Sequence, residues 1–160
     1  MSRPDWRDER GALGGMEVLP FGFLLFVAGS LLLTNAWAVV DSKVAASAAA
    51  REAARAYVES TGPGEVALGQ AHVAARAALE GHGRNPGRMR LDAVGPLDFR
   101  RCARVTFEVG YRVATVTVPW VGAFGGGVIE TTARHSELVD PYRSDVPGGD
   151  ATAAGAGCGG

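Results

Sequence analysis

The chain has 160 residues and a formal net charge of −1, with 16 basic and 17 acidic side chains. This length suits one modest domain plus an anchor and is too short for two independent cores. The balanced charge attracts no nucleic acid, and two cysteines, Cys102 and Cys158, are too few for a zinc site or a disulfide framework.

The first residues, 1–15, are polar and then rich in glycine, and we expect a disordered cytoplasmic leader there. Behind them, Val18 to Val40 is free of charged residues. As a helix this stretch measures roughly 35 Å at about 1.5 Å per residue, enough to cross a bilayer. Its large apolar side chains cover every side of the helix, unlike an amphipathic core helix. The stretch therefore predicts a transmembrane helix in contact with membrane lipid.

A cleaved secretory signal is the alternative for this stretch, because the small-residue motif ANAWA stands before Val39. The orientation follows from the flanking charges. Arg3, Arg7 and Arg10 precede the stretch, and only Lys43 follows closely. The positive-inside rule favours a cytoplasmic N-terminus and an extracytoplasmic C-terminal domain at the plasma membrane.

The helical pattern continues beyond the apolar stretch. Residues 16–60 are therefore predicted to form one N-terminal helix, which spans the membrane and extends beyond it. Beyond the apolar stretch, one face carries charge: Asp41, Arg51, Glu52, Arg55 and Glu59. The opposite face is apolar and consists almost entirely of alanine: Ala46, Ala49, Ala50, Ala53, Ala56 and Tyr57. Such small side chains permit close backbone approach by a neighbour.

The TGPG segment at 61–64 predicts the end of this helix. A second, shorter helix follows over 65–81, and its expected inner residues are Val66, Val73, Ala74, Ala77 and Leu79. The composition of 81–88 indicates a loop.

The second half of the chain alternates polar with β-branched or aromatic residues at 88–94 and 103–120, and a last strand is predicted over 127–139. Gly110 marks a bulge or a turn in this pattern. The predicted fold class is α+β, with the long helix followed by a small antiparallel sheet of three or four strands. We expect an extracytoplasmic α+β domain at 61–143 and a disordered tail at 144–160.

Few other residues indicate chemistry. His72, His82 and His135 are far apart without ligand spacing, and no catalytic set can be named, so we expect neither a metal, nor a cofactor, nor an enzyme. The basic cluster Arg100, Arg101 and Arg104 indicates a solvated strand edge rather than a nucleic-acid patch. A bridge between Cys102 and Cys158 is allowed outside the cytoplasm; the alternative is one buried cysteine and one in an unfixed tail.

Glu17 stands immediately before the uncharged stretch, where an ionised carboxylate is costly unless it has a partner. It either caps the helix N-terminus, where the helix dipole favours an anion, or pairs with a positive group on another subunit.

The run RGALGGMEVLPFGFLLFVAGSLLL, with the later AAREAARAYVE, resembles the TadE/TadG-like family of minor pseudopilins. The resemblance covers residues 10–60. It implies a pilin-like component of a tight-adherence (Flp) pilus or a type II-like secretion assembly. The implied partners are other pilin-like subunits and a pilus or secretion platform.

In such proteins the apolar helices pack side by side, and the acidic residue pairs with a neighbour's N-terminal amine. The resemblance makes Glu17 that residue, and Ala49, Arg51, Glu52, Ala53 and Arg55 the family-like stretch. A prepilin peptidase is also implied. A cut after Ala12 gives Glu17 the family's spacing, whereas a cut after Gly11 places it one residue further. The alternative function is a membrane-tethered extracytoplasmic binding module.

Overall fold

The structure, a computed structural model, describes residues 18–62, 64–114, 127–144 and 146. Two α-helices come first, α1 over Val18–Glu59 and α2 over Gly64–Gly81. A 3-10 helix over Pro86–Arg88 leads into the first of three strands, which are β1 (Met89–Ala93), β2 (Arg104–Ala114) and β3 (Val128–Leu138). The predicted α+β class, with a long apolar N-terminal helix and a small antiparallel sheet, is confirmed.

Two compact units divide the chain, and the division falls inside α1, between Trp37 and Ala38. The sequence predicts a domain boundary at residue 60 instead. The difference arises because the alanine-rich part of α1 belongs to the core of the second unit, where Ala38 already packs against buried side chains.

In the first unit, α1 runs through Val18–Trp37.

In the second unit, one face of α1 is buried at intervals of three and four residues: Ser42, Ala45, Ala46, Ala49, Ala50, Ala53, Ala54 and Tyr57. The charged residues Arg51, Arg55 and Glu59 are exposed. The predicted two faces are therefore confirmed, except that Ala56 and Glu52 lie half-buried between them.

The turn after α1 depends on a glycine. The Gly62 N–H donates to Ser60 Oγ at 3.2 Å. A Cβ added at Gly62 would lie 2.7 Å from Val66 Cγ1, in the first turn of α2. Only glycine lets α2 begin this close to the end of α1.

Helix α2 buries a different side from the one predicted. Its buried residues are Ala67, Ala71, Ala75 and Leu79, whereas Val66 and Val73 are 48% and 68% exposed. Of the predicted inner residues, only Leu79 is buried, and Ala77 is exposed. The prediction placed the most hydrophobic side chains of α2 on its inner side. In the structure the smallest side chains, the alanines, face inward instead, because they allow the backbones to approach closely.

The C-terminus of α2 ends in a Schellman motif. Arg84 N–H donates to Leu79 O at 2.9 Å, and Gly83 N–H donates to Glu80 O at 2.8 Å. Gly83 has a φ of 67°, the left-handed conformation that glycine adopts without steric cost.

The described strands form one antiparallel sheet in the order β1-β2-β3. The register is continuous: Gly110 lies opposite Arg90 on one side and Thr132 on the other. The predicted bulge or turn at Gly110 is therefore wrong. Gly110 is a regular strand residue whose missing side chain leaves room for the Glu130 carboxylate, which would lie 2.6 Å from an added Cβ.

The inner face of the sheet carries the buried residues of β2: Val105, Phe107, Val109, Tyr111 and Val113. They join the buried faces of α1 and α2 in one core. Val139 and Val146 also belong to this core. Of the predicted disordered tail at 144–160, only residues 144 and 146 are among the described residues, and Val146 is buried in the core.

We predict that Ala75→Leu destabilises the domain by about 1–3 kcal/mol, because a larger side chain must displace tightly packed backbone. Ala77→Leu, two residues along the same helix and exposed, is the control and changes stability by less than about 0.5 kcal/mol. Urea unfolding of the full chain in neutral detergent, followed by circular dichroism, measures both. Equal stability of the two variants would contradict the burial of the alanine face.

Candidate functional site

The largest apolar surface in the described residues lies on α1 between Val18 and Trp37. Ten large side chains are 58% to 73% exposed and are distributed around the helix, whereas Val27 and Leu31 are half-buried. The exposed residues are Val18, Leu19, Phe21, Phe23, Leu24, Leu25, Phe26, Leu32, Leu33 and Trp37. Within the described part of the chain, α1 is the one helix long and apolar enough to cross a membrane, and none of its most apolar window is buried. A soluble core helix would be mostly covered, so this exposure is compatible with a transmembrane helix.

Polar side chains within this surface bond to the helix that carries them. Thr34 Oγ1 donates to Ser30 O at 2.8 Å, and Asn35 Nδ2 donates to Leu31 O at 3.0 Å. These bonds satisfy donors that would otherwise be costly in an apolar environment. The polar residues are thereby compatible with the apolar surface around them.

The predicted processing and pairing residues, Gly11, Ala12 and Glu17, lie outside the described residues. The predicted bridge also involves such a residue, Cys158. Cys102 has a φ of 62° in the turn before β2, and its N–H donates to Val139 O at 3.0 Å. The cleavage, the carboxylate pairing and the bridge stay predictions.

The family-like stretch of α1 divides between the core and the surface. Ala49 and Ala53 are fully buried within the chain's own domain. Arg51 is exposed, Glu52 is half-buried, and Arg55 Nε donates to Glu59 Oε1 at 2.9 Å. The Glu59 hydrogen bond and charge raise the pKa of Arg55 above its usual value. The two alanines thus serve intramolecular packing, and the charged face remains open to solvent.

Arg143 holds the C-terminus of α1. Its guanidinium donates to the backbone carbonyls of Val58, Glu59 and Ser60. These carbonyls have no acceptor role inside the helix, and a cation there also interacts favourably with the helix dipole. The guanidinium carbon lies 5.7 Å from the centre of the Phe99 ring. Sequence analysis missed this contact because the two partners are far apart in the chain.

Phe99, which Arg143 contacts, belongs to an aromatic cluster. The Tyr57 ring meets the Phe99 ring at 5.6 Å and the Phe107 ring at 5.5 Å, both edge to face. Tyr57 Oη donates to Leu97 O at 3.4 Å. Burial raises the pKa of the Tyr57 hydroxyl, and the charge of Asp98 adds to the effect.

Two of the three arginines in the basic cluster near Phe99 make contacts within the domain, and Arg104 is exposed. Arg100 Nη2 lies 3.1 Å from Asp98 Oδ2, and Arg101 Nε donates to Arg143 O at 2.7 Å. The three histidines are not brought together, and His135 Nε2 lies 3.0 Å from Glu137 Oε1. In the described ranges, no group of three or more potential metal-binding side chains comes together.

Comparison of the chain with protein-family models, with curated proteins and with solved structures gives no match.

We predict that the domain loses stability in alkali through Tyr57. In the unfolded chain a tyrosine ionises near pH 10. The folded domain keeps Tyr57 neutral to higher pH, so its stability is full below about pH 10 and falls as the pH rises towards the raised pKa. Tyr57→Phe removes this ionisation and flattens the alkaline part of the profile.

Urea midpoints of the full chain, measured from about pH 8 to 11, test this effect. Tyr142→Phe is the matched control, because Tyr142 is 79% exposed, and it keeps the wild-type profile. A Tyr57→Phe profile that falls as steeply as the wild type would contradict the assignment.

Proposed function

We propose that the chain is a single-pass, membrane-anchored, pilin-like component of a tight-adherence pilus or a type II-like secretion assembly. In this proposal, the N-terminus is cytoplasmic and the domain from Ala38 on is extracytoplasmic. The apolar helix segment Val18–Trp37 anchors the chain in lipid and packs laterally against the same segment of neighbouring subunits. The exposure of this segment on all sides is the observation that carries the proposal.

Two features of the segment support lateral packing. Gly22 and Gly29 are seven residues apart, close to two helical turns, and therefore fall on one side of the helix. A Cβ at either position would meet no other atom within 4 Å. A neighbouring helix can therefore approach the backbone closely at these glycines.

The proposal assigns lateral contacts to this segment and not to the alanine face. Ala49 and Ala53 are covered by the chain's own domain, so a bulky residue there would disturb folding before it disturbed assembly. Glu17 retains its proposed role as the acidic partner of a neighbour's N-terminal amine, by resemblance to the pseudopilins.

We predict that Gly29→Leu reduces crosslinking between subunits in membranes about tenfold, because an added side chain prevents close helix packing and a loss of about 1.4 kcal/mol changes the association constant by that factor. The added side chain meets nothing of its own chain, so expression and the domain fold stay unchanged. Leu33→Ile is the control, since it keeps the volume of an exposed residue on the same segment.

Glu17→Ala is expected to lower piliation or secretion in the same way. Normal crosslinking in Gly29→Leu and normal piliation in Glu17→Ala would together refute the proposal.

A second candidate function is a tethered binding module, in which the helix serves only as an anchor. The observation that favours it is the compact unit from Ala38 on, which has a core of its own.

The two functions separate in a chimera in which an unrelated membrane span replaces residues 1–37. The junction precedes Ala38, because the Ala38 carbonyl accepts the Ser42 hydroxyl at 2.7 Å. As a pilin-like component, the chimera reaches the membrane and folds but does not assemble. Full piliation or secretion by the chimera would favour the tethered module.

A further inference from the structure

The outer face of the sheet, opposite the core, holds a cleft of about 220 Å³ that has no role in the proposed assembly. Three arginines and one acid contribute to its lining, around backbone and side-chain atoms of the 3-10 helix and of β1 and β2. The lining residues are Gly87, Arg88, Met89, Arg90, Gly110, Arg112 and Glu130.

The charges in this cleft are unevenly paired. Arg90 has two acidic neighbours: its Nε lies 2.7 Å from Asp92 Oδ2, and its Nη2 lies 3.7 Å from Glu130 Oε1. Within the part of the chain that the structure describes, no acidic side chain forms an ion pair with Arg88 or Arg112. Two of the three guanidinium groups at the cleft therefore have no ion-pair partner, and the three arginines exceed the two nearby acids, Asp92 and Glu130, by one charge.

The strand register explains why Arg112 has no partner. Glu130 lies directly opposite Arg112 in the ladder between β2 and β3, which would ordinarily make a cross-strand ion pair. The neighbouring Gly110 has no side chain, and the Glu130 carboxylate lies over this glycine towards Arg90. The absence of a side chain at Gly110 therefore leaves space in the cleft, and the Glu130 carboxylate occupies part of this space near Arg90 instead of pairing with Arg112.

We propose that this cleft binds an oxyanion, the phosphate or carboxylate group of a small ligand. The planar guanidinium forks of Arg88 and Arg112 match the geometry of both groups and bind them through paired hydrogen bonds. A cleft of this volume has room for one phosphate or a short dicarboxylate. The group belongs to a free solute or to an anionic lipid headgroup, and its chemistry is the same in both.

Titration of the full chain in neutral detergent with inorganic phosphate, and separately with succinate, tests the proposal. Arginine side-chain NMR signals and calorimetry report the binding. We expect saturable binding at low ionic strength that weakens with added sodium chloride, because salt screens exposed charges. Arg88→Gln and Arg112→Gln each weaken binding about tenfold, the effect of losing one charged hydrogen-bond donor.

Matched variants distinguish binding in this cleft from non-specific attraction of anions to any exposed arginine. Arg76→Gln removes an exposed arginine of α2 and leaves the affinity unchanged. Glu130→Gln removes the competing carboxylate and strengthens binding, whereas Glu65→Gln, in the first turn of α2, has no effect. Equal changes in the cleft variants and their controls would overturn the proposal.

A second arm identifies the source of the oxyanion. The full chain is placed in lipid nanodiscs with and without an anionic phospholipid, and the Arg88 and Arg112 signals are followed. Shifts that require the anionic lipid, with no response to free phosphate, assign the headgroup as the ligand. Shifts with free phosphate or succinate alone assign a small solute. Absence of a response to all of these probes would overturn the proposal.

Discussion

Close approach between backbones is the constraint on which the compact unit depends. Among the described residues, nine of the twelve buried positions of α1 and α2 are alanine. Small side chains bury little apolar area individually, so such a core must gain from tight packing of many atoms. The larger side chains, Tyr57, Leu79 and Phe107, then fill the space that remains between the helices and the sheet. A larger residue in the alanine faces would separate the elements that these side chains join.

Single contacts join α1 to distant parts of the chain. Arg143 satisfies the last carbonyls of α1, Lys43 Nζ donates to Thr132 O of β3, and Arg84 pairs with Asp41. Each contact joins a helix to a residue that comes much later in the sequence. Arg143 acts at the end of α1, where the last carbonyls have no partner within the helix, whereas Asp41 and Lys43 lie inside α1 and join its middle to other parts of the domain.

The sheet separates two chemical roles. Its inner face is apolar and packs the core, while its outer face carries alternating charges that mostly pair with one another. Gly110 interrupts this pairing at one position, and the result is a cleft with unpaired guanidinium groups. The apolar surface of Val18–Trp37 is chemically distinct from both faces, since most of its large side chains are exposed. In the two proposals, neighbouring subunits pack against the surface of Val18–Trp37, and the oxyanion binds at the outer face of the sheet.

The sequence alone determined the periodic features of this protein. An uncharged run, the alternation in β2 and β3, and the polar and alanine faces of α1 were predictable because each depends only on the repeat of a helix or strand. It did not determine which side of α2 is inward, since Val66 and Val73 outrank alanine in hydrophobicity and only the neighbouring backbones favour the smaller residues. The place of Val146 in the core, the partners of Arg143, and the cleft beside Gly110 were decided by the tertiary structure. Each depends on groups that are far apart in the chain, and local patterns contain no information about which of them meet.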